Sequence, residues 1–170
     1  MTIPGHPGNP GVRQAQSGLL SARHFNPFPA MPRASAAYPS APPAELVLHA
    51  RSRVLELAYA DGTRFRIPFE LMRVYSPSAE VKGHGPDQEV LQTGKREVEI
   101  TELTPIGHYA VQPRFSDGHD SGIFAWDYLY FLGAQQDELW RQYTERLATA
   151  GLDRDAPMPE KVGGACGSAN

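Results

Sequence analysis

Residues 54–67, VLELAYADGTRFRI, contain the pattern that decides the fold prediction. Apolar and polar side chains alternate on both sides of Asp61-Gly62, and this period of two is typical of strands with one buried face. Asp and Gly also tolerate the positive φ angles that a tight hairpin turn requires. We therefore predict two antiparallel strands joined at Asp61-Gly62.

Similar alternation on either side extends this hairpin into a β meander. Pro68 ends the second strand, because proline has no backbone N–H to donate to a ladder. The other elements predicted before the last helix are, in chain order, a strand at 46–48, a single helical turn at 69–74, a strand at 98–103, a turn at 104–107, a strand at 109–115, a turn at Asp117-Gly118 and a short strand at 122–125.

From Gln135 onward the period is that of a helix. Leu139, Tyr143 and Leu147 recur every four residues, acidic side chains occupy the first turn, and Gly151 follows as a C-terminal cap. The predicted fold class is therefore α+β, a small single domain of antiparallel β meander and sheets with a C-terminal helix.

Composition divides the chain into an arm, a domain and a tail. Residues 1–43 contain nine prolines, four glycines and no acidic residue, which predicts a disordered, weakly cationic arm. Residues 152–170 are also rich in Pro and Gly, and we predict a second disordered tail there. Residues 44–151 lie between them and are long enough for one hydrophobic core.

Charge and cysteine content exclude several classes of protein. Residues 44–151 carry 11 basic and 16 acidic side chains, and this negative excess argues against nucleic acid as a ligand. No apolar stretch approaches the ~20 residues of a membrane span. The single cysteine excludes a disulfide framework and favours a reducing compartment, so we predict a cytoplasmic protein without membrane contact.

Two glycine-flanked loops that each contain a histidine, residues 76–86 and 115–122, hold the candidate site. A loop imidazole beside carboxylates can act as acid or base or bind a metal, whereas a histidine after Asp-Gly can equally hydrogen-bond its own turn. Both interpretations stay open for His119, and His84 has the alternative of an exposed loop residue. The candidate binding residues are Ser76, Ser78, Glu80, His84, Asp117, His119, Asp120 and Ser121.

Sequence templates for catalysis are mostly missing. The chain has no phosphate-binding glycine loop followed by lysine, no paired cysteines and no serine in a nucleophile elbow. No histidine is followed two positions later by an acidic residue, as the iron-oxygenase facial triad requires. We assign no catalytic residue, and the sequence favours a protein that is not an enzyme.

Four segments together resemble the small bacterial family called DUF971, namely residues 55–62, 76–85, 117–122 and 126–129. The resemblance covers essentially residues 44–151. That family is similar to the amino-terminal domain of gamma-butyrobetaine hydroxylase, and related domains are attached to iron–sulfur cluster carrier proteins in plastids. The catalytic domain of the hydroxylase has no counterpart in this sequence.

The resemblance also implies the position of a metal site. In the hydroxylases this domain holds a structural zinc through a Cys-Pro-Cys-x-x-Cys run and one histidine in an Asp-x-His-x-Ser context. Here Ser76, Ser78 and Val81 occupy the cysteine positions, and His119 occupies the histidine position. Hydroxyl groups do not replace thiolates and valine has no donor, so we expect neither zinc nor iron. A remodelled metal site is the alternative, built from Glu80, His84, His119 and Asp120.

These expectations combine into one preferred function and two alternatives. We expect a non-enzymatic accessory module whose histidine loops form one surface for an unknown protein partner or small ligand, and the resemblance implies a link to iron–sulfur or redox-cofactor metabolism. The first alternative is a metal-binding accessory domain associated with gamma-butyrobetaine hydroxylase-like oxygenases, with His119 as a ligand. The second is an enzyme that uses His119 as general base beside Asp117 or Asp120.

Overall fold

The computed structural model of the protein describes residues 38–82 and 89–158, which form two three-stranded antiparallel sheets and four helices. This is the α+β architecture that the sequence predicts. In chain order the elements are β1 (Glu45–His49), β2 (Val54–Ala58), β3 (Arg64–Pro68), α1 (Phe69–Val74), α2 (Ala79–Lys82), β4 (Ile100–Ile106), β5 (Ala110–Phe115), β6 (Phe124–Ala125), α3 (Trp126–Ala134) and α4 (Gln136–Thr149).

The first sheet contains the predicted hairpin. β2 lies at its centre, so that the buried Leu57 stands opposite Leu46 of β1 and Phe65 of β3. Gly62 has a φ of +88°, and the Asp61 carboxylate accepts a 2.8 Å hydrogen bond from the backbone N–H two residues later. The Asp-Gly turn therefore closes the hairpin as expected.

The second sheet corrects the predicted position of one turn. β4 continues to Ile106, and Pro105 still pairs with β5. The turn lies at 107–109, where a glycine has a φ of +54°, and not at 104–107. Proline is tolerated within β4 because this is an edge strand, and one row of its backbone groups has no neighbouring strand to bond.

α4 is the predicted carboxy-terminal helix. Its periodic residues Leu139, Tyr143 and Leu147 are all buried. Gly151 has a φ of +65°, and the following N–H of Leu152 donates a 2.9 Å hydrogen bond to the Leu147 carbonyl. This glycine cap satisfies a carbonyl of the last turn, as the sequence indicated.

α3 is an element that the sequence analysis did not predict. Its buried residues leave no one-sided apolar stripe of the kind that identifies a surface helix. A side chain at Gly133 would collide with the Phe65 ring, so this glycine lets α3 approach β3 closely. The buried residues of α3 are Trp126, Tyr128, Leu129, Phe131 and Leu132.

One hydrophobic core joins both sheets to α1, α3 and α4. Among the tyrosine hydroxyls that bond within it, Tyr75 donates to the Leu139 carbonyl at 2.7 Å, and Tyr128 donates to the Tyr75 carbonyl at 2.5 Å. These bonds tie the chain just after α1 to α3 and α4, and they position the loop that begins at Ser76. None of the described helices is long and apolar enough to cross a membrane.

Packing on the amino-terminal side begins before the predicted domain of residues 44–151. Tyr38 contacts the rings of Tyr130 and Phe131 at centroid distances of 5.8 and 5.7 Å. Its hydroxyl also accepts a 3.2 Å hydrogen bond from the Gln135 side chain. A single aromatic residue therefore attaches the end of the proline-rich stretch to α3.

Packing on the carboxy-terminal side continues into residues 152–158, which we call the C-terminal segment. Arg154 makes a two-pronged ion pair with the buried carboxylate of Glu70 in α1. This pairing across the fold could not be expected from the composition of the segment. The remaining parts of the predicted tails, residues 1–37 and 159–170, lie outside the described residues.

We expect Arg154→Ala to lower the free energy of unfolding by about 2–3 kcal/mol, because it leaves the Glu70 carboxylate buried without its cation. The side chains of Glu70 and Arg154 are 5% and 34% exposed, which places the loss at the lower end for buried pairs. Urea unfolding measures it. Arg141→Ala is the control, since Arg141 pairs with Glu138 and Glu145 on the exposed face of α4, and an equal loss in both variants would contradict the expectation.

Candidate functional site

The imidazole of His119 lies at the centre of the candidate site. Its Nε2 is 2.7 Å from the Ser76 Oγ, and its Nδ1 is 2.9 Å from the Glu80 Oε2. An ionised carboxylate only accepts hydrogen bonds, so Nδ1 carries the proton and Nε2 accepts from the serine hydroxyl. We call these three side chains the relay.

The turn that carries His119 is closed by its own backbone and by Asp117. The Phe115 N–H donates to the His119 carbonyl at 2.8 Å, and the Gly118 N–H donates to the Phe115 carbonyl at 3.0 Å. Gly118 has a φ of +84°, and the Asp117 Oδ1 accepts from the His119 N–H at 3.3 Å. This Asp-Gly turn fixes the direction in which the imidazole enters the domain.

Asp117 also joins two buried cations that the sequence analysis did not single out. Its Oδ2 accepts from the Arg73 Nε at 2.8 Å and from the Lys95 Nζ at 2.7 Å. Burial raises the pKa of the Asp117 carboxyl, but the hydrogen bond from Lys95 and the charges of Arg73 and Lys95 bring it below its usual value. The carboxylate therefore stays ionised and holds α1, the chain at Lys95 and the His119 turn together.

The other loop is packed against the turn. Ser76, Ser78 and Val81 are 0%, 4% and 1% exposed. The Ser78 carbonyl accepts from the N–H groups of Val81 and Lys82, at 3.2 and 3.0 Å, and so begins the short helix α2. The Ser78 Oγ has no hydrogen-bond partner among residues 38–82 and 89–158. This helix turn brings Glu80 to the imidazole.

Gly122 completes the contact between the two loops. A Cβ at this position would collide with the Ser76 Oγ and would lie 3.1 Å from the Phe124 ring. The absence of a side chain therefore lets the backbone after the turn cover the Ser76 hydroxyl.

The structure brings together most of the predicted site residues, but it buries Ser76, Ser78 and His119, which the sequence placed on a surface. The His119 side chain is 1% exposed, because the ring packs beside Phe115 and is covered by the Ser76 loop. Asp120 and Ser121 are exposed, and Asp120 pairs weakly with Arg114 at 3.7 Å. His84 lies outside the described residues.

Burial also determines the protonation of the imidazole. It lowers the pKa of His119 below the usual range, the charge of Arg73 lowers it further, and the hydrogen bond to Glu80 opposes both. His119 is therefore neutral near pH 7.

The relay has the hydrogen-bond order of a nucleophile, a base and a group that orients the base. The hydroxyl that would attack is 0% exposed, so a substrate has no access to it. Asp117 bonds the backbone of His119 and not its ring. The arrangement is that of a structural connection between two loops.

A metal does not fit these residues. Both ring nitrogens of His119 are engaged by Ser76 and Glu80, and Ser78 and Val81 offer no anionic donor. Within residues 38–82 and 89–158, no group of three or more His, Cys, Asp or Glu side chains is arranged to hold a metal ion.

Comparison with known proteins gives the family. A family model described as gamma-butyrobetaine hydroxylase-like, N-terminal, matches residues 46–130. The chain belongs to this family. The match spans β1 through most of α3 and includes both loops of the site. A search of the curated proteins finds no match.

Three solved structures are of proteins similar to this chain. Two solution NMR structures are of proteins 43% and 44% identical to this one, and the alignments cover 71% and 72% of this chain and 89% and 97% of theirs, with TM-scores of 0.61. A crystal structure of a DUF971 protein of unknown function from Acidithiobacillus ferrooxidans ATCC 23270 is 45% identical over 58% of this chain and 99% of that one, with a TM-score of 0.47. The predicted DUF971 resemblance is confirmed.

The lowered pKa of His119 predicts how stability depends on pH. An unfolded histidine takes up a proton near pH ~6.5, where the buried imidazole does not, so folding stability is lost as the pH falls through that value. The difference in unfolding free energy between the wild type and His119→Gln should shrink between about pH 7.5 and pH 5. His108→Gln, at an exposed position, should follow the wild-type profile. A difference that stays constant with pH would contradict the burial of a neutral imidazole.

The contact at Gly122 makes a second prediction. Gly122→Ala should destabilise the domain by about 1–3 kcal/mol, because the new methyl group must push the Ser76 hydroxyl away from His119. In a Ser76→Ala background the same substitution should cost less, since the obstructing oxygen is gone. Chemical denaturation of the four proteins of this double-mutant cycle measures the coupling, and strictly additive losses would contradict the contact.

Proposed function

We propose that the domain is a non-catalytic binding module that docks a protein partner on the exposed rim of the two joined loops. The observation that carries the proposal is the pair of hydrogen bonds at His119, which accepts from the Ser76 hydroxyl at 2.7 Å and donates to the Glu80 carboxylate at 2.9 Å. They enclose the reactive groups and hold the two segments that carry Glu80, Asp120 and Ser121 against each other. We call Glu80, Asp120 and Ser121 the rim.

The charge of the rim indicates the kind of partner. The side chains of Glu80 and Asp120 are 54% and 56% exposed, and both are acidic. The apolar Ile123 follows closely in the chain and is 46% exposed. Exposed acidic groups suit a protein surface with basic residues, and they repel the phosphates of nucleic acid.

Rigidity supports a docking function. The relay and the ion pairs of Asp117 hold residues 76–82 and 115–122 in one conformation before a partner arrives, so that less conformational entropy is lost on binding.

The other expectations from the sequence find less support. The metal-binding alternative lacks a donor set in the described part of the chain, and an enzyme that uses His119 as base lacks access for a substrate. A link to iron–sulfur or redox-cofactor metabolism rests on the resemblance of the family. The single cysteine supports a cytoplasmic location, which is part of the proposal.

Charge reversal on the rim tests the proposal. The variant Asp120→Lys/Ser121→Lys leaves the relay untouched and should weaken a partner's affinity by at least about tenfold, because it replaces attraction by repulsion. Tagged full-length protein first captures candidate partners from its own host, and calorimetric titration of the purified pair then measures the affinity. Wild-type binding should also weaken with added salt.

The matched control variant replaces one acidic and one hydroxyl side chain outside the rim by lysine. Glu145→Lys/Thr144→Lys lies on the exposed face of α4 and should bind as tightly as the wild type. A partner that binds the rim variant normally and fails to bind the control would place the interface on α4 and overturn the proposal.

A further inference from the structure

The C-terminal segment is bonded to the stretch of chain at 93–96. The Gly94 N–H donates to the Arg154 carbonyl at 2.8 Å, and the Thr93 N–H lies 3.2 Å from the Met158 Sδ. The Arg96 Nε pairs with the Asp155 carboxylate at 2.7 Å.

Gly94 allows this contact to be made backbone to backbone. It has a φ of +63°, and a Cβ on it would lie 2.9 Å from the Ala156 carbonyl oxygen. A carbonyl oxygen of the main chain cannot rotate away as a side chain can. Only glycine therefore lets the C-terminal segment approach at this distance.

The far side of the C-terminal segment is anchored to helices. Arg154 pairs with Glu70 of α1, and its guanidinium stacks on the Trp140 ring of α4 at 4.7 Å. The segment therefore lies between a rigid part of the core and the chain at 93–96, and it holds that chain in place.

Lys95 connects this stretch to the candidate site. It stands between two residues that the C-terminal segment holds, Gly94 and Arg96, and its Nζ donates to the Asp117 Oδ2 at 2.7 Å. The other oxygen of Asp117 accepts from the His119 N–H. The C-terminal segment is therefore connected to His119 through direct hydrogen bonds and through the covalent bonds of consecutive residues.

We infer that the C-terminal segment is a strap that positions the His119 turn through Gly94, Lys95 and Asp117. Displacing the strap moves Lys95, weakens one of the two cationic contacts of Asp117 and loosens residues 115–119. Arg73 keeps its own bond to Asp117, so the turn becomes more mobile without unfolding. Displacement of this segment therefore also loosens the part of the chain that carries the rim residues Asp120 and Ser121.

The strap goes beyond the proposed binding function and does not depend on it. Its test measures the mobility of the turn in the protein alone. If the strap fails this test, the proposal that the rim docks a partner still stands. If the rim binds no partner, the inference about the strap still stands.

Amide hydrogen exchange of the full-length protein tests the strap. Gly94→Ala should lower the protection of the Phe115, Gly118 and His119 amides by at least about tenfold, the factor expected for losing one hydrogen bond to a charged group. Gly62→Ala is the matched control. It places the same side chain at a positive φ of +88° with nothing within 4 Å, and so it shares the backbone strain without the collision.

Two further measurements separate a local effect from a general loss of stability. The Tyr143 amide in the core helix α4 reports global unfolding, and the turn amides should lose more protection than the Tyr143 amide in Gly94→Ala but no more than it in Gly62→Ala. Asp155→Ala removes only the ion pair to Arg96 and should loosen the turn in the same direction, even if Gly94→Ala does not fold.

Lys95→Met tests the route. It should loosen the turn as strongly as Gly94→Ala, and the double variant should loosen it no further, since both changes break one connection. Equal turn protection in Gly94→Ala and Gly62→Ala, or additive effects of Gly94→Ala and Lys95→Met, would overturn the inference.

Discussion

The rest of the candidate site depends on the requirement that buried polar groups find partners. The imidazole of His119 and the hydroxyl of Ser76 are enclosed in the domain, where a lost hydrogen bond costs far more than it does in water. Each satisfies the other, and Glu80 satisfies the remaining ring nitrogen. The two loops therefore have one mutual position at which all three groups are satisfied, and this position sets the surface outside them.

A second group of polar side chains, centred on Asp117, also holds the His119 turn in position. Asp117 accepts from Arg73 and Lys95 and also from the backbone of His119, so one carboxylate holds three parts of the chain. Partly buried ion pairs of this kind contribute little net stability compared with apolar side chains of the same size. Here they determine which three parts of the chain meet at Asp117. The two loops themselves are connected by hydrogen bonds between side chains, those that His119 makes with Ser76 and Glu80.

This distinction between interior and rim supports a docking function over catalysis. The Ser76 hydroxyl and the His119 imidazole face inward and bond to each other, whereas the side chains of Glu80 and Asp120 are more than half exposed. The C-terminal segment adds a connection between this rim and the opposite end of the chain. It does so through backbone contacts at Gly94, where composition alone suggested a loose tail.

Local chemistry in the sequence was enough to determine the hairpin at Asp61-Gly62, the periodic face of α4 and the two loops that hold His119 and Ser76. These features depend on neighbours in the chain, through the period of side-chain burial and the φ angles that glycine permits. Only the tertiary structure decided the pairing of Arg73 and Lys95 with Asp117, of Arg154 with Glu70, and the burial of α3 on several sides. Those pairs are separated by 44, 22 and 84 residues, and a charge has no periodicity that could indicate its partner at such a distance. The sequence singled out the two histidine-containing loops, and the packing of the core decided which of their described side chains face the solvent.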